Sequence, residues 1–297
     1  MSFNKPPLPF LEQVKLLQSR GLVISDMAAA ESFLGKVNYY HFSGYCLQFE
    51  RARHEFLPGT RFEQVVALCE FDHQLRDIIS EGLAFVEMAV RTQTAYHFSH
   101  AFNDAFAHEN PANFRTNQTN HAIWVEDLHH NTKKSYEFFV RHFQRDYPKS
   151  FPAVPVWVAV EIMSFGALSK FVEYMHNKEQ KVIAANFKLQ PPVLVSWLRS
   201  FCYIRNICAH HARLWDKRLS VSPTLPAAPE WQGVNSRQIG AVVYAINQML
   251  PLSCNDGFYA QWRTNLEHLL NNKPDVPGFW SRIGLNEGWA AHQLWKR

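Results

Sequence analysis

Apolar residues recur at spacings of three and four along nearly the whole of this 297-residue chain, and no region sustains an alternation of apolar and polar residues. The first spacing keeps apolar side chains on one face of an α-helix, whereas alternation is typical of strands. Hydrophobic residues make up 47% of the chain and charged residues 19%, so the helices can bury a sizeable core. The sequence therefore predicts an all-α fold, a bundle of helices.

The clearest start signal for a helix lies where Pro58 and Gly59 turn the chain, because Thr60 and Glu63 then form a capping box. The apolar pattern continues to about Phe98, which predicts a helix of roughly 35 residues. Further along, the segment SVSPTLPAAPEWQG is typical of a connector, and two helical stretches follow it. We expect three parts: an N-terminal helical segment over 1–57, a helical core over 58–219, and a linker with a C-terminal helical appendage over 220–297.

No window approaches the roughly 18 consecutive apolar residues of a transmembrane helix, and the N-terminus lacks the regions of a signal peptide. We therefore expect a cytoplasmic protein without a membrane partner. The five cysteines form no Cys-x-x-Cys pair, and the histidines at 97, 100, 129 and 130 lack the spacing of a zinc hydrolase. The sequence predicts no metal site and no cofactor. Its net charge of +4 permits an acidic partner such as nucleic acid.

One stretch, YIRNICAHHARLW at 203–215, divides into two faces when it is placed on a helical wheel with the residues before it. His211 is expected to point toward the apolar side. Asn206 and His210 are four residues apart on the polar side, so the amide could orient the imidazole. The apolar face holds Trp197, Phe201, Ile204, Ile207, Cys208 and Trp215. The polar face holds Arg199, Arg205, Asn206, His210 and Arg213.

A polar face of this kind is as often solvated or ion-paired as it is functional. Two features favour a functional site. The small residues Cys202 and Ala209 leave room among the polar groups, and Asp216 is the one nearby carboxylate that could pair with the arginines. Guanidinium forks match the oxygens of a phosphate, so unpaired arginines beside a histidine indicate a phosphate ligand.

The stretch RNICAHHARLW resembles the signature of the Abi-like family of bacterial abortive-infection proteins. The helical core of that family belongs to the HEPN superfamily, with its motif of an arginine, four to six residues and a histidine. Here the motif runs from Arg205 to His210, with the polar Asn206 directly after the arginine. The resemblance extends from about residue 10 onward, because further blocks follow in the family's order. These are NYYHFSGY (38–45), GTRFEQVVALCEFDHQLR (59–76), EMAVRTQTAYHFS (87–99), MSFGALSKF (163–171) and GLNEGWAAHQLW (284–295).

The resemblance implies a HEPN-like bundle with the activity of a metal-independent endoribonuclease in antiphage defence. In that chemistry the ribose 2′-OH attacks the adjacent phosphate, so DNA is inert and the products end in a 2′,3′-cyclic phosphate and a 5′-OH. The resemblance implies that His210 transfers protons and that Arg205 stabilises the charged phosphorus centre. Asn206 would orient His210 or bind a phosphate oxygen. HEPN ribonucleases usually pair two motifs at a dimer interface, which implies a homodimer with a composite site.

Arg199, Arg213 and Arg91 are the candidates for binding RNA phosphates, and Arg91 is also a candidate for supporting the site. It stands four residues after Glu87 on the long predicted helix, a spacing that predicts an ion pair within the helix. Because this helix is expected to pack near the motif helix in a HEPN-like bundle, Arg91 could lie close to the motif.

Three functional hypotheses stay open at this point. The first is a toxin-like ribonuclease, the second a non-catalytic protein that forms a complex with a structured RNA, and the third a toxin held inactive by an antitoxin or other regulatory partner. Arginine, asparagine and histidine serve binding and cleavage equally well. The intact pair of Arg205 and His210 favours cleavage.

Overall fold

A computed structural model describes residues 6–296, and helices dominate this part of the chain. Its only strands, β1 Glu50–Ala52 and β2 Glu55–Phe56, form a short antiparallel hairpin. The predicted all-α fold is therefore confirmed. The helices are α1 Phe10–Ser19, α2 Met27–Leu34, α3 Tyr39–Cys46, α4 Phe62–Phe102, α5 Gln118–Lys134, α6 Phe138–Asp146, α7 Val156–Ile162, α8 Phe165–Tyr174, α9 Asn177–Asn186, α10 Pro191–Ala209, α11 Ile239–Met249, α12 Asp256–Asn271 and α13 Phe279–Ile283.

Helix α4 is the axis of the bundle. Its 41 residues span about 60 Å at 1.5 Å per residue, longer than the sequence predicts. The helix ends at Phe102, and the next residue, Asn103, takes a left-handed conformation with a φ of 49°. Buried residues recur along it at spacings of three and four, and α3, α7, α9, α10, α11 and α12 all pack against it. The side chains that α4 presents therefore meet residues from distant parts of the sequence.

The start of α4 differs from the predicted capping box. The Thr60 hydroxyl donates to the Leu57 carbonyl at 2.8 Å, and the Glu63 carboxylate accepts from the Ser25 hydroxyl at 3.2 Å. The reciprocal bond is made one residue later, where the side chain of Gln64 accepts from the backbone N–H of Arg61 at 2.8 Å. The predicted capping pair was wrong because glutamate and glutamine both suit the third position of a helix, and Glu63 and Gln64 are adjacent in the sequence.

The C-terminal helices lie directly on α4. The Trp262 indole of α12 donates to the Ile78 carbonyl of α4 at 2.8 Å. A Cβ at Gly82 would stand 2.8 Å from that indole nitrogen and 3.1 Å from the Ile246 side chain, so glycine permits the close approach. One continuous cluster of buried side chains extends from Val14 to Trp295. The division into parts at 1–57, 58–219 and 220–297 stays a prediction.

Candidate functional site

The motif lies at the C-terminal end of α10. Pro191 and Pro192 occupy the first turn of this helix, where a missing N–H costs nothing. At the other end, the N–H of His211 donates to the Cys208 carbonyl and the N–H of Ala212 to the Ile207 carbonyl, both at 3.0 Å. These two bonds are a Schellman cap, which needs a left-handed residue after the helix. His211 takes that conformation, with a φ of 51°.

The cap changes two of the predicted positions. The helical wheel placed His211 among the apolar residues, but this histidine is exposed, because the helix ends before it. Trp215 is buried as predicted, although it lies beyond the helix rather than on its apolar face. Projection onto a helix is valid only while the helix continues.

His210 is exposed at the end of the motif helix. Its backbone N–H donates to the Asn206 carbonyl at 3.0 Å, and no residue between 6 and 296 hydrogen-bonds its imidazole. The Asn206 amide is also exposed and lies 3.9 Å from the Cys202 sulfur. The predicted contact between the Asn206 amide and the His210 imidazole is therefore not made. The imidazole is open to a ligand on the solvent side.

Arg205 has an acidic partner on α4. Its Nη2 lies 3.7 Å from Oε2 of Glu87, and its guanidinium lies over the ring of Phe165 at 5.8 Å from the ring centre. Glu87 also binds Arg91, which donates to the Val160 carbonyl as well. The predicted pair of Glu87 and Arg91 is confirmed. Two guanidinium groups thus share one largely buried carboxylate, and this set keeps a net positive charge.

Two other arginines of the predicted polar face also have partners in the protein. Arg199 pairs with Glu173 of α8, with 2.9 Å between its Nε and Oε2 of the carboxylate. Arg213 lies beyond the end of α10 and donates to the Gly44 carbonyl of α3. The inference that the polar face lacks acidic partners was wrong for Arg199 and Arg205, because the carboxylates come from α4 and α8, far away in the sequence. Their roles toward RNA, like that of Arg213, stay predictions.

The segment after the motif is fixed by one buried carboxylate, Asp72 of α4. Its two oxygens accept the backbone N–H groups of Trp215 at 2.6 Å and of Leu214 at 3.2 Å. The hydroxyl of Tyr45 donates to it at 2.6 Å, and Arg76 forms a buried ion pair with it. We call these three side chains and two N–H groups the anchor cluster. Burial and the Asp72 carboxylate raise the pKa of Tyr45, so its hydroxyl stays protonated and donates.

Helix α3 borders the anchor cluster through Gly44 and His41. A Cβ at Gly44 would stand 3.3 Å from Nη1 of Arg213, so glycine leaves room for the guanidinium that binds its own carbonyl. The Nε2 of His41 lies 3.4 Å from the Tyr45 hydroxyl. Burial, together with the positive charges of Arg76 and Arg213, lowers the pKa of His41 and favours its neutral form.

Sequence reasoning missed the anchor cluster, although a signal for it exists. Asp72 and Arg76 fall in the apolar stripe of α4, between the buried residues Leu68 and Ile79. A charged residue in a core stripe is rarely left unpaired, so two of them four residues apart predict a buried ion pair. The remaining partners, Tyr45 and the N–H groups after the motif, cannot be read from the stripe.

The fold and the site define an all-α protein in which a long central helix positions an arginine–histidine motif at an exposed helix end. A family model described as Abi-like protein matches residues 32–216, more than half of the chain. The chain belongs to the Abi-like family, and this membership suggests a part in abortive-infection defence. The match contains the motif and the blocks from 38 to 171, but it ends before the block at 284–295. No curated protein and no solved structure matches the chain.

Within residues 6–296, no three or more side chains of histidine, cysteine, aspartate or glutamate are grouped so that they could hold a metal ion. Over the same residues, no helix combines the length and the apolar character needed to cross a membrane.

Proposed function

We propose that this protein is a metal-independent endoribonuclease of abortive-infection defence, with its active site at the end of α10. The observation that carries the proposal is the pairing of an exposed imidazole, His210, with a guanidinium held five residues earlier, Arg205. A group that moves protons must be free to meet the substrate, whereas a group that stabilises charge works best when it is fixed in advance.

The proposed reaction is an internal transfer of the phosphoryl group. The ribose 2′-oxygen forms a bond to phosphorus as the bond from phosphorus to the 5′-oxygen breaks. One proton leaves the 2′-OH and one is taken up by the 5′-oxygen, so the step needs both a base and an acid. His210 fills one of these roles in each subunit, and a second copy of the chain would supply the other. This division of roles agrees with a composite site in a homodimer.

Arg205 would stabilise the negative charge that builds on the phosphate oxygens. A guanidinium has five N–H donors, and the loose 3.7 Å contact with Glu87 leaves most of them free. Glu87 is also bound to Arg91, so it cannot neutralise both arginines. The Phe165 ring supports the guanidinium from one side. These contacts hold Arg205 in place while its positive charge remains available to RNA.

Helix α6 and the residues around it form a second surface that supports RNA as the partner. Tyr136 and Phe138 are 88% and 83% exposed, and Tyr147 is also exposed. The guanidinium of Arg141 lies over the Tyr136 ring at 4.9 Å from its centre. Exposed aromatic rings with cations among them suit the bases and phosphates of single-stranded RNA. The segment 133–149 carries five lysines and arginines against two acidic residues.

The test is cleavage of an end-labelled single-stranded RNA by the purified chain in EDTA, beside His210→Ala. We expect cuts that leave a 2′,3′-cyclic phosphate, a loss of about 100-fold or more in rate for the variant, and RNA affinity within a few fold of the original. DNA of the same sequence should not be cut. His130→Ala removes another exposed histidine and is the matched control. Equal cleavage by the His210 variant would contradict the proposed role.

A mixing experiment tests the composite site. Arg205→Ala and His210→Ala chains are each prepared separately, then mixed under conditions that let subunits exchange. If two chains build one site, the mixture should regain cleavage that neither variant has alone. No recovery, in a mixture shown to contain mixed dimers, would mean that each chain carries a separate site.

One observation favours the second candidate function, binding of a structured RNA without cleavage. The His210 imidazole has no hydrogen-bond partner among the described residues that would fix its orientation. General acid–base catalysis needs an oriented ring, whereas binding does not. Tight RNA binding by the original chain, without cuts in any tested RNA, would support this candidate instead.

A further inference from the structure

A cavity of about 350 Å³ lies where the segment after the motif meets the C-terminal part of the chain. Its charged lining residues are Lys217, Arg218, Arg237, Arg282 and one carboxylate, Asp216. We call it the cationic cavity. Its volume is at the lower end of the roughly 300–1,000 Å³ of ligand pockets, which suits a small group. All four cations lie beyond residues 32–216, the part of the chain that matches the family model.

The single carboxylate of the cavity is already occupied. Oδ2 of Asp216 accepts from Nη1 of Arg282 at 2.7 Å. Within residues 6–296, no aspartate or glutamate forms an ion pair with Lys217, Arg218 or Arg237. Three cations thus share one concave surface without a neutralising partner. Like charges held together cost free energy, and an anion that enters between them removes that cost.

The backbone segments that carry these cations are tied to one another. The N–H of Leu219 donates to the Arg237 carbonyl at 2.9 Å, which ties the two segments that carry them. The Gln238 amide donates to the Arg282 carbonyl at 3.2 Å and so fixes α13 beside them. On the other side, the anchor cluster holds Leu214 and Trp215. A site assembled before the ligand arrives loses less entropy on binding.

We propose that the cationic cavity binds a phosphate group. Guanidinium forks and a lysine ammonium match phosphate oxygens, and the amides of Asn235 and Gln238 add neutral groups to the lining. None of the described lining residues is aromatic, so the cavity offers nothing on which a base could stack. The phosphate belongs either to the backbone of a bound RNA or to a free nucleotide. The first source rests on the proposed function, and the second does not.

The test uses the full chain with Arg218→Gln and Arg237→Gln together, on the His210→Ala background so that RNA stays intact. Both arginines are exposed, so the fold should tolerate the change. The control is Lys178→Gln with Lys181→Gln, which removes the same charge from the exposed face of α9. Equal melting temperatures of the two double variants, within about 2 °C, would confirm that both are folded.

The first measurement is the affinity for a fluorescent 15-nucleotide polyuridine RNA between 50 and 300 mM KCl. Each lost phosphate contact lowers the slope of log Kd against log salt by about 0.7 for single strands. The cavity variant should therefore lose up to about 1.4 from this slope, and the control should keep it. The second measurement is calorimetric titration with ATP and with inorganic pyrophosphate.

The outcomes separate the two sources. A smaller salt slope in the cavity variant alone assigns the cavity to the RNA backbone. An unchanged slope, with ATP or pyrophosphate binding lost only in the cavity variant, assigns it to a free nucleotide. Identical behaviour of the two double variants in both measurements overturns the proposal, even if the original chain cuts RNA. If the cavity variant alone loses phosphate binding and the original chain cuts no RNA, the cavity proposal is supported and the nuclease proposal is contradicted.

Discussion

The two ends of the motif segment differ in how they are held. At Leu214 and Trp215 the chain is buried, and Asp72 fixes two consecutive N–H groups in the anchor cluster. A few residues earlier, His210 is exposed and its ring has no hydrogen-bond partner among the described residues. The buried hydrogen bonds and the buried ion pair of Asp72 therefore lie beside the candidate site and not in it.

This difference separates stability from function along one short segment. Buried, hydrogen-bonded groups fix the backbone from which the motif projects, whereas open groups are available to a substrate. Arg205 lies between these extremes, since Glu87 and Phe165 hold it without covering it. Substitutions in the anchor cluster should therefore change the free energy of unfolding, and those at the motif should change activity.

The largest effect is expected for Asp72→Asn. The change leaves Arg76 buried without its counter-ion and offers an NH2 group where two backbone N–H groups and a hydroxyl need acceptors. Breaking a buried ion pair in this way costs about 3–5 kcal/mol of the free energy of unfolding. Urea denaturation followed by circular dichroism would measure the loss.

Asp77→Asn is the matched control for this prediction. Asp77 lies on the same helix, is exposed, and makes only a 3.6 Å contact with His73. We expect a change within about 0.5 kcal/mol. Similar losses for the two variants would mean that the anchor cluster does not carry the stability assigned to it.

The next effect is expected for Arg205→Ala, which should act on activity. The change leaves Glu87 paired with Arg91, so no buried charge is abandoned and the stability loss should stay within about 1 kcal/mol. Removing a donor to the transition state typically lowers the rate by about 100- to 1,000-fold. Single-turnover cleavage and RNA affinity should both fall. Arg53→Ala, at an exposed position in the β-hairpin turn, should leave both unchanged.

The same contrast explains what the sequence could predict. Helix periodicity predicts the all-α fold, the long α4 and the buried face of α10, because each depends on residues three and four apart. The pair of Glu87 and Arg91 follows from the same rule. The partners of Arg205 and Arg199 do not, since Glu87 and Glu173 are brought near only by packing of α4 and α8 against α10. The cap at His211 was missed because a histidine stands where glycine is usual.

That cap gives the third prediction. His211 holds a left-handed φ of 51°, which costs a residue with a Cβ about 1 kcal/mol relative to glycine. Replacement by glycine removes this cost, but part of the gain in stability is lost because glycine is more flexible in the unfolded chain. We expect His211→Gly to raise the free energy of unfolding by about 0.5–1 kcal/mol and to leave RNA cleavage unchanged. Ala212→Gly, at a position without a positive φ, should lower it. A loss of cleavage in His211→Gly would place this histidine in the site.

The smallest effect is expected at His41, beside the anchor cluster. Its pKa is lowered by burial and by the positive charges of Arg76 and Arg213, so the unfolded chain binds this proton more readily than the folded chain. The stability that depends on neutral His41 is present above the ordinary histidine pKa and is lost as the pH falls through the lowered value. The ring is partly open to water, so the loss is small.

Between pH 7.5 and 5, the melting temperature should fall less in His41→Gln than in the original chain. The exposed His130→Gln should match the original, and equal falls in all three chains would show that His41 does not report on the cluster.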